Sequence, residues 1–279
     1  MGVRAHRAVP VSGLSRRPVP RRWTPGSVLL GALLLAGAVG PLLLLGVWSL
    51  AGAWFYPALL PGEWSLRAWA SALSPDTPLW ASLWGSVWVG TVTAVTATAL
   101  ALPAARALNG WPGRSRAWVQ SALLAPLILP AFAGVMGIQV VFIRLGLADT
   151  PAGVVAAHLI VAVPYAVAVL SATFAGYDAR LEDAARTLGA SRAAVWWQVT
   201  LPAVRSGVLV ALLMAFLVSW SEYLLTLIVG GAQVRTLPLL LFSAVQGGDY
   251  ALSGALGLVY LLPPLLGFAL LAPRLRSAA

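Results

Sequence analysis

The sequence has no lysine and no cysteine, and it contains only two histidines. A P-loop ATPase needs a lysine that reaches the β- and γ-phosphates, and a Schiff-base enzyme needs an amine, so both classes are excluded. Without cysteine there is no disulfide framework, thiolate nucleophile or cysteine-ligated metal. His6 and His158 lie too far apart to suggest a metal site. We therefore expect a non-catalytic chain without a cofactor or metal.

Charge is also scarce. Only 9% of the residues are charged while 60% are hydrophobic, and the mean hydropathy is +0.87, which is too apolar for a soluble domain. The net charge of +10 comes from arginines that lie between apolar runs and form no stripe with interleaved aromatic residues. That distribution argues against nucleic acid as a partner and for a lipid bilayer.

Six apolar runs are each long enough to cross about 30 Å of hydrocarbon. They cover about 27–50, 79–105, 118–142, 152–176, 206–230 and 250–271. Each run is predicted to be helical, because a backbone in lipid must satisfy its own hydrogen bonds and the alternating segments of a membrane barrel are missing. The sequence thus predicts an all-α, polytopic membrane protein with six transmembrane helices.

Arginine placement predicts the orientation. With the N-terminus in the cytoplasm, fifteen of the eighteen arginines lie on the cytoplasmic side, and only Arg67, Arg144 and Arg235 lie outside. The positive-inside rule favours this arrangement, with both termini cytoplasmic. Residues 1–26 are basic and proline-containing and are predicted to form a disordered cytoplasmic tail, and residues 273–279 a C-terminal one. The transmembrane domain is predicted to cover 27–272.

The stretch at about 178–205, between the fourth and fifth runs, is polar enough to be cytoplasmic yet regularly patterned. Ala184 and Ala185 favour a first short helix, which Gly189 ends. Ser191 can cap a second short helix that precedes the next run. The stretch is therefore predicted to be a helix, a glycine turn and a helix.

The spacing in this stretch resembles the EAA loop of binding-protein-dependent ABC importer permeases. That pattern is glutamate-alanine-alanine, three residues, glycine, nine residues, isoleucine, one residue and leucine-proline. The chain keeps every interval, with aspartate for the glutamate and valine for the isoleucine. The matching residues are Asp183, Ala184, Ala185, Gly189, Val199, Leu201 and Pro202. The preceding run is also similar to the family at His158, Pro164 and Tyr165.

The resemblance implies that this loop docks in a groove of a separate ATPase and transmits its closure to the membrane helices. It implies ATPase-docking roles for Glu182, Asp183, Ala184, Ala185, Gly189, Leu201 and Pro202. It implies as partners two ABC ATPase subunits, a second permease subunit in a homo- or heterodimer, and an extracytoplasmic solute-binding protein. The implied location is the bacterial inner membrane. A merely amphipathic interfacial segment is the alternative interpretation of the loop.

Glu222 is the one carboxylate that we place inside an apolar run. Ser219, Glu222 and Thr226 share a helical face at i, i+3 and i+7, and we predict that they line the translocation pathway. A structural bond across a helix interface is the alternative for Glu222. For His158, a packed and hydrogen-bonded side chain is favoured over a proton relay or ligand.

The sequence leaves the solute open. The segments SWSEYLLTLIVGG and TLPLLLFSAV look more like those of permeases for polyamines, iron(III), thiamine or small oxyanions than like those of sugar permeases, which are the alternative.

Two other classes of membrane protein are alternatives to a permease. A polytopic membrane enzyme should cluster His, Asp, Ser or Glu at one membrane face, and an ion-coupled transporter should show inverted repeats. The sequence shows neither feature.

Overall fold

The structure, a computed structural model, describes residues 25–54, 57–128, 131–231 and 233–276. The predicted N-terminal tail lies outside the described residues up to position 24, as do the last three residues of the predicted C-terminal tail. Residues 25–43 belong to one unit, an apolar helical stretch, and the residues from 44 onward form a second unit that holds all the contacts discussed below.

The described chain is almost entirely helical. Its elements are, in order, α1 (Pro25–Ser49), β1 (Ala51–Ala53), β2 (Glu63–Trp64), α2 (Arg67–Leu73), α3 (Leu79–Asn109), α4 (Gly113–Ile128), α5 (Ala131–Arg144), α6 (Pro151–Ala175), α7 (Arg180–Thr187), α8 (Arg192–Val195), a π-helical turn (Trp196–Thr200), α9 (Leu201–Ser221), α10 (Leu224–Gly230), α11 (Leu237–Gln246) and α12 (Tyr250–Arg276). The two short strands pair antiparallel. The predicted all-α class is confirmed.

Among the described residues, five helical stretches are long and apolar enough to cross a membrane. They are Pro25–Ser49, Leu79–Asn109, Pro151–Ala175, Arg192–Ser221 and Tyr250–Pro273. The predicted third run, 118–142, is covered by parts of α4 and α5, and residues 129–130 between them lie outside the described residues. The predicted fifth run, 206–230, is interrupted between Ser221 and Leu224. The protein is thus a polytopic membrane protein in which one of the predicted runs, the fifth, is built from two shorter helices.

Helices α3, α6 and α9 form the core of the second unit, and they meet through small side chains. The fully buried alanines of this core are Ala97, Ala101, Ala105, Ala162, Ala166, Ala211 and Ala215. Small residues let helix backbones approach closely where lipid provides no hydrophobic driving force. At Gly207 even a Cβ atom would collide with the side chain of Thr173. The alanine- and glycine-rich runs therefore create one tightly packed three-helix unit.

Contacts at the two ends of this core agree with the predicted topology. Arg106 at the end of α3 bonds to Glu182, which follows α6, and the Asn109 side chain donates to the carbonyl of Phe174. The ends of α3 and α6 that are predicted to face the cytoplasm therefore lie together. At the opposite end Arg67 pairs with Asp249. The contacts thus bring together residues that the arginine count assigns to the same side of the membrane.

Single-cysteine labelling tests which end faces the cytoplasm, and the cysteine-free chain suits it. Cysteines placed at Arg114 and Arg192, which are exposed, should react with a membrane-impermeant maleimide only from the cytoplasmic side. Cysteines at Asp76 and Gln246 should react only from outside. Reversed labelling of all four positions would overturn the orientation and the docking role of the loop.

An ion pair fastens α2 to the start of α12. Arg67 donates from Nη1 and Nη2 to the two carboxylate oxygens of Asp249, each at 3.1 Å, and the Leu252 N–H donates to Asp249 Oδ1 at 3.0 Å. The hydrogen bond from the guanidinium is the main cause that lowers the pKa of Asp249 below its usual value. Asp249 therefore caps α12 and anchors α2 at the same time.

We expect Asp249→Asn to lower the melting temperature of the purified chain at pH 7 by a few degrees at most, because it removes a half-exposed ion pair worth up to about 1 kcal/mol while asparagine still caps the helix. The pKa of Asp249 is lowered by folding, so its contribution is present above the ordinary carboxyl pKa and is lost as pH falls through the lowered value. The difference between variant and parent should shrink accordingly in acid. Asp76→Asn, whose carboxylate contacts Ser74 instead of an arginine, is the matched control.

Candidate functional site

The loop after α6 folds as the predicted helix, glycine turn and helix. Helix α7 ends in a Schellman motif: the Gly189 N–H donates to the Arg186 carbonyl at 2.9 Å and the Ala190 N–H to the Ala185 carbonyl at 3.1 Å. Gly189 has φ +88°, a left-handed conformation that a residue with a Cβ adopts only at a cost. The Ser191 hydroxyl caps α8 by accepting from the Ala194 N–H. Both local predictions are confirmed.

The second half of the loop is continuous with the membrane helix that follows it. Helix α8 passes through the π-helical turn directly into α9, so that the chain is helical from Arg192 to Ser221. The Leu201 N–H donates to the Trp196 carbonyl, five residues back, as a π-helical turn requires. Leu201 and Pro202 thus lie inside a helical segment rather than in a connection. No non-helical residue separates α8 from α9.

Glu182 points away from the surface of the loop. Its side chain is 7% exposed and accepts three hydrogen bonds, from Arg106 Nη2 at 2.7 Å, Arg186 Nη2 at 2.9 Å and the Thr200 hydroxyl at 2.8 Å. Arg106 also lies over the ring of Trp196, 5.1 Å from its centroid. We call these residues, Glu182, Arg106, Arg186 and Thr200, the Glu182 network. It joins α7 to the end of α3 and to the turn that leads into α9.

The exposed side of the loop is a separate surface. Leu188 is 88% exposed and Leu181 51% exposed, and Asp183, Ala184 and Gly189 are exposed between them. We call this surface of five residues the loop face. It places bare apolar side chains beside a carboxylate, which is the composition of a protein-binding patch rather than of a solvated helix.

The seven residues predicted to dock an ATPase do not share one environment. Asp183, Ala184, Gly189 and Pro202 are exposed, Ala185 and Leu201 are half-buried, and Glu182 is buried. The exposed Leu188 and the inward-facing Arg106 were not singled out from the sequence for this site. Leu188 ends α7, and its position immediately before the turn glycine is the sequence signal that could have identified it.

The second candidate region is a break in the membrane helix between α9 and α10. Glu222 has ψ 111°, which ends α9. His158 of α6 bridges the break: its Nδ1 lies 2.8 Å from the Ser219 hydroxyl and its Nε2 lies 3.0 Å from the Thr226 hydroxyl. Because the Thr226 hydroxyl donates to the Glu222 carbonyl, a neutral His158 ring donates from Nε2 to Thr226 and accepts at Nδ1 from Ser219.

This geometry divides the three predicted pathway residues. Ser219 and Thr226 are buried and turned toward His158, whereas the side chain of Glu222 is only half-buried. The continuous helical face predicted from the i, i+3, i+7 spacing does not form, because the helix is interrupted at Glu222. The packed, hydrogen-bonded role favoured for His158 is confirmed.

Comparison with known proteins identifies the family. The model of the family described as binding-protein-dependent transport system inner membrane component matches residues 95–275, which include the loop face, the Glu182 network and the break at Glu222. The chain belongs to this family. The resemblance seen in the loop spacing is thereby confirmed, and the protein is a permease subunit of an ABC importer, a transport component of a membrane complex.

The names of individual relatives specify different solutes. The permease is 33% identical over 209 residues to the molybdenum transport system permease protein ModB of Mycobacterium bovis, covering 69% of this chain and 78% of the relative. It is 28% identical over 244 residues to the putrescine transport system permease protein PotI of Escherichia coli K12, with 84% of each chain covered. A bacterial ABC transporter that imports alginate shares the fold, with a TM-score of 0.67 at 19% identity over 89% of this permease and 94% of that chain.

Proposed function

We propose that the permease forms one half of a translocation pathway, together with a second copy or a homologous permease, and that its loop face binds one of two separate ATPase subunits. The observation that carries this proposal is the loop face itself, with Leu188 88% exposed beside Asp183. An apolar residue held in water at the end of a rigid, capped helix costs free energy unless a partner covers it.

The continuity of α8 with α9 supports the same proposal. ATPase closure moves the loop face, and the helix from Arg192 to Ser221 carries that movement to the break at Glu222. A rigid segment between two sites is the physical requirement for such coupling. The inner membrane of a bacterium is the corresponding location, and an extracytoplasmic binding protein delivers the solute.

The half-buried carboxylate at the break supports a small polar solute. A broken membrane helix exposes backbone and polar groups only where they line a cavity or are covered by protein. Glu222 lies at such a break, and its carboxylate attracts a cation such as a polyamine, thiamine or iron(III) and repels an oxyanion. We therefore place a cationic solute ahead of an oxyanion, and both ahead of the sugar type.

Charge reversal on the loop face tests the docking proposal. Asp183→Lys changes a carboxylate that is 73% exposed and pairs with Arg186 at 3.0 Å. Because such an exposed pair contributes at most about 1 kcal/mol, the membrane fold and abundance should stay near the parental level. Copurification of the ATPase with the tagged permease should fall by roughly tenfold, since like charges at an interface are strongly disfavoured. In proteoliposomes, hydrolysis stimulated by the loaded binding protein should fall in parallel. Unchanged capture and unchanged stimulation in Asp183→Lys would refute docking at the loop face.

A further inference from the structure

The carboxylate of Glu182 is held by groups from three parts of the chain. Arg186 belongs to the same short helix, α7, whereas Arg106 closes the last turn of α3 and Thr200 ends the π-helical turn before α9. Arg106 and Arg186 donate to the same oxygen, Oε2, at 2.7 Å and 2.9 Å, and Thr200 donates to Oε1 at 2.8 Å. Both oxygens therefore accept bonds from within the chain, and at 7% exposure the carboxylate is not accessible to a partner protein.

Burial makes this arrangement costly to break. A carboxylate that is 7% exposed has lost most of its hydration, and hydrogen bonds from charged donors replace it. Removing one partner of a buried charge pair leaves the other charge without compensation, which is far more destabilising than losing an exposed pair. Arg106 is fixed further by the ring of Trp196 beneath its guanidinium.

We propose that Glu182 is a positioning residue that fastens the loop to α3 and α9, so that movement of the loop face is passed to the α3–α6–α9 core instead of being lost in rotation of α7. The inference rests on the proposed function, because it assumes that the loop face receives the ATPase. It separates two neighbouring carboxylates by role: Asp183 binds the partner, and Glu182 transmits the partner's movement.

The geometry explains why an acid is needed at this position. A glutamine at 182 keeps the size of the side chain, and its amide oxygen can still accept from both arginines. Its NH2 group can donate to the Thr200 hydroxyl, which then acts as acceptor. The hydrogen bonds survive, but two guanidinium groups then share one neutral oxygen with no negative charge between them. Glu182→Gln is thus a test of charge with the shape of the site retained.

The experiment uses the complete complex of permease, ATPase and binding protein in proteoliposomes. In Glu182→Gln, ATPase capture should remain within about twofold of the parent, because the substituted side chain is buried. Uptake per ATP hydrolysed should fall about tenfold, because the retained hydrogen bonds lose the charge that makes them strong. Hydrogen exchange at the amides of α7 should become faster. Arg106→Gln should have the same effects, and the double variant should be no worse than either single variant, as a shared interaction requires.

Asp178→Asn is the matched control, since it removes one negative charge from an exposed carboxylate of the same loop that pairs with Arg180 and lies outside the loop face and the Glu182 network. Loss of ATPase capture in Glu182→Gln with unchanged exchange would make Glu182 a docking residue and overturn the proposal. Faster exchange with parental uptake per ATP would leave Glu182 only a structural role and overturn it too. If Asp183→Lys retains full capture while Glu182→Gln still lowers uptake per ATP, docking at the loop face fails and the positioning role of Glu182 survives.

Discussion

Gly189→Val should reduce solute uptake by at least about tenfold while the amount of folded permease in the membrane changes by less than about twofold. At φ +88° a β-branched residue costs about 1–3 kcal/mol, and 1.4 kcal/mol already changes an equilibrium tenfold. The chain relieves this strain by giving up the two hydrogen bonds of the Schellman motif. Helix α7 then loses its fixed direction relative to α8, and the loop face no longer matches the ATPase.

Gly146 offers a matched control for this change. It also has a left-handed backbone, φ +69°, and a Cβ added at either glycine meets nothing within 4 Å, so that Gly146→Val and Gly189→Val impose the same kind of strain. Gly146 lies between α5 and α6, at the opposite end of α6 from the loop. We expect Gly146→Val to match Gly189→Val in thermal stability while keeping parental uptake per folded molecule. Equal loss of uptake in both variants would show that strain alone, and not the direction of α7, causes the defect.

The local structure of the loop was predictable because it depends on neighbours in the chain. A glycine that ends a helix and a serine that caps the next act within three to five residues, and the sequence displays both. The contact between Arg106 and Glu182 joins residues 76 positions apart. Nothing in the spacing says which arginine meets which carboxylate. For this reason Glu182 was grouped with the docking residues although its side chain faces inward.

The interruption in the predicted fifth run was missed for a related reason. Hydropathy measures whether a segment prefers lipid, and it does not register where a helix ends inside an apolar run. Around Glu222 the sequence carries no glycine or proline that would mark an end. The break is instead stabilised by His158, a residue of another helix that bonds to both sides of it. Tertiary contact therefore decides the local structure here.

The opposite roles of His158 and Glu222 at this break lead to the remaining prediction. His158→Leu should lower membrane abundance and thermal stability, because the buried Ser219 hydroxyl loses its partner and an unsatisfied buried hydroxyl costs about 1–3 kcal/mol. His158→Gln should restore much of the abundance, since an amide offers one acceptor to Ser219 and one donor to Thr226 at similar spacing. Detergent-solubilised yield and melting temperature measure both effects.

Glu222→Gln should have the opposite effects: uptake should fall while abundance and melting temperature stay unchanged. Its side chain is half-buried and its backbone, not its carboxylate, bonds to Thr226, so neutralising it should leave abundance and melting temperature at the parental level. Uptake per folded molecule should fall by about tenfold for a cationic solute, because the proposed pathway role gives the carboxylate an attraction to the solute worth more than about 1 kcal/mol. Uptake at the parental level in Glu222→Gln would assign Glu222 a structural role. A rise in uptake would indicate an anionic solute, which the lost carboxylate had repelled.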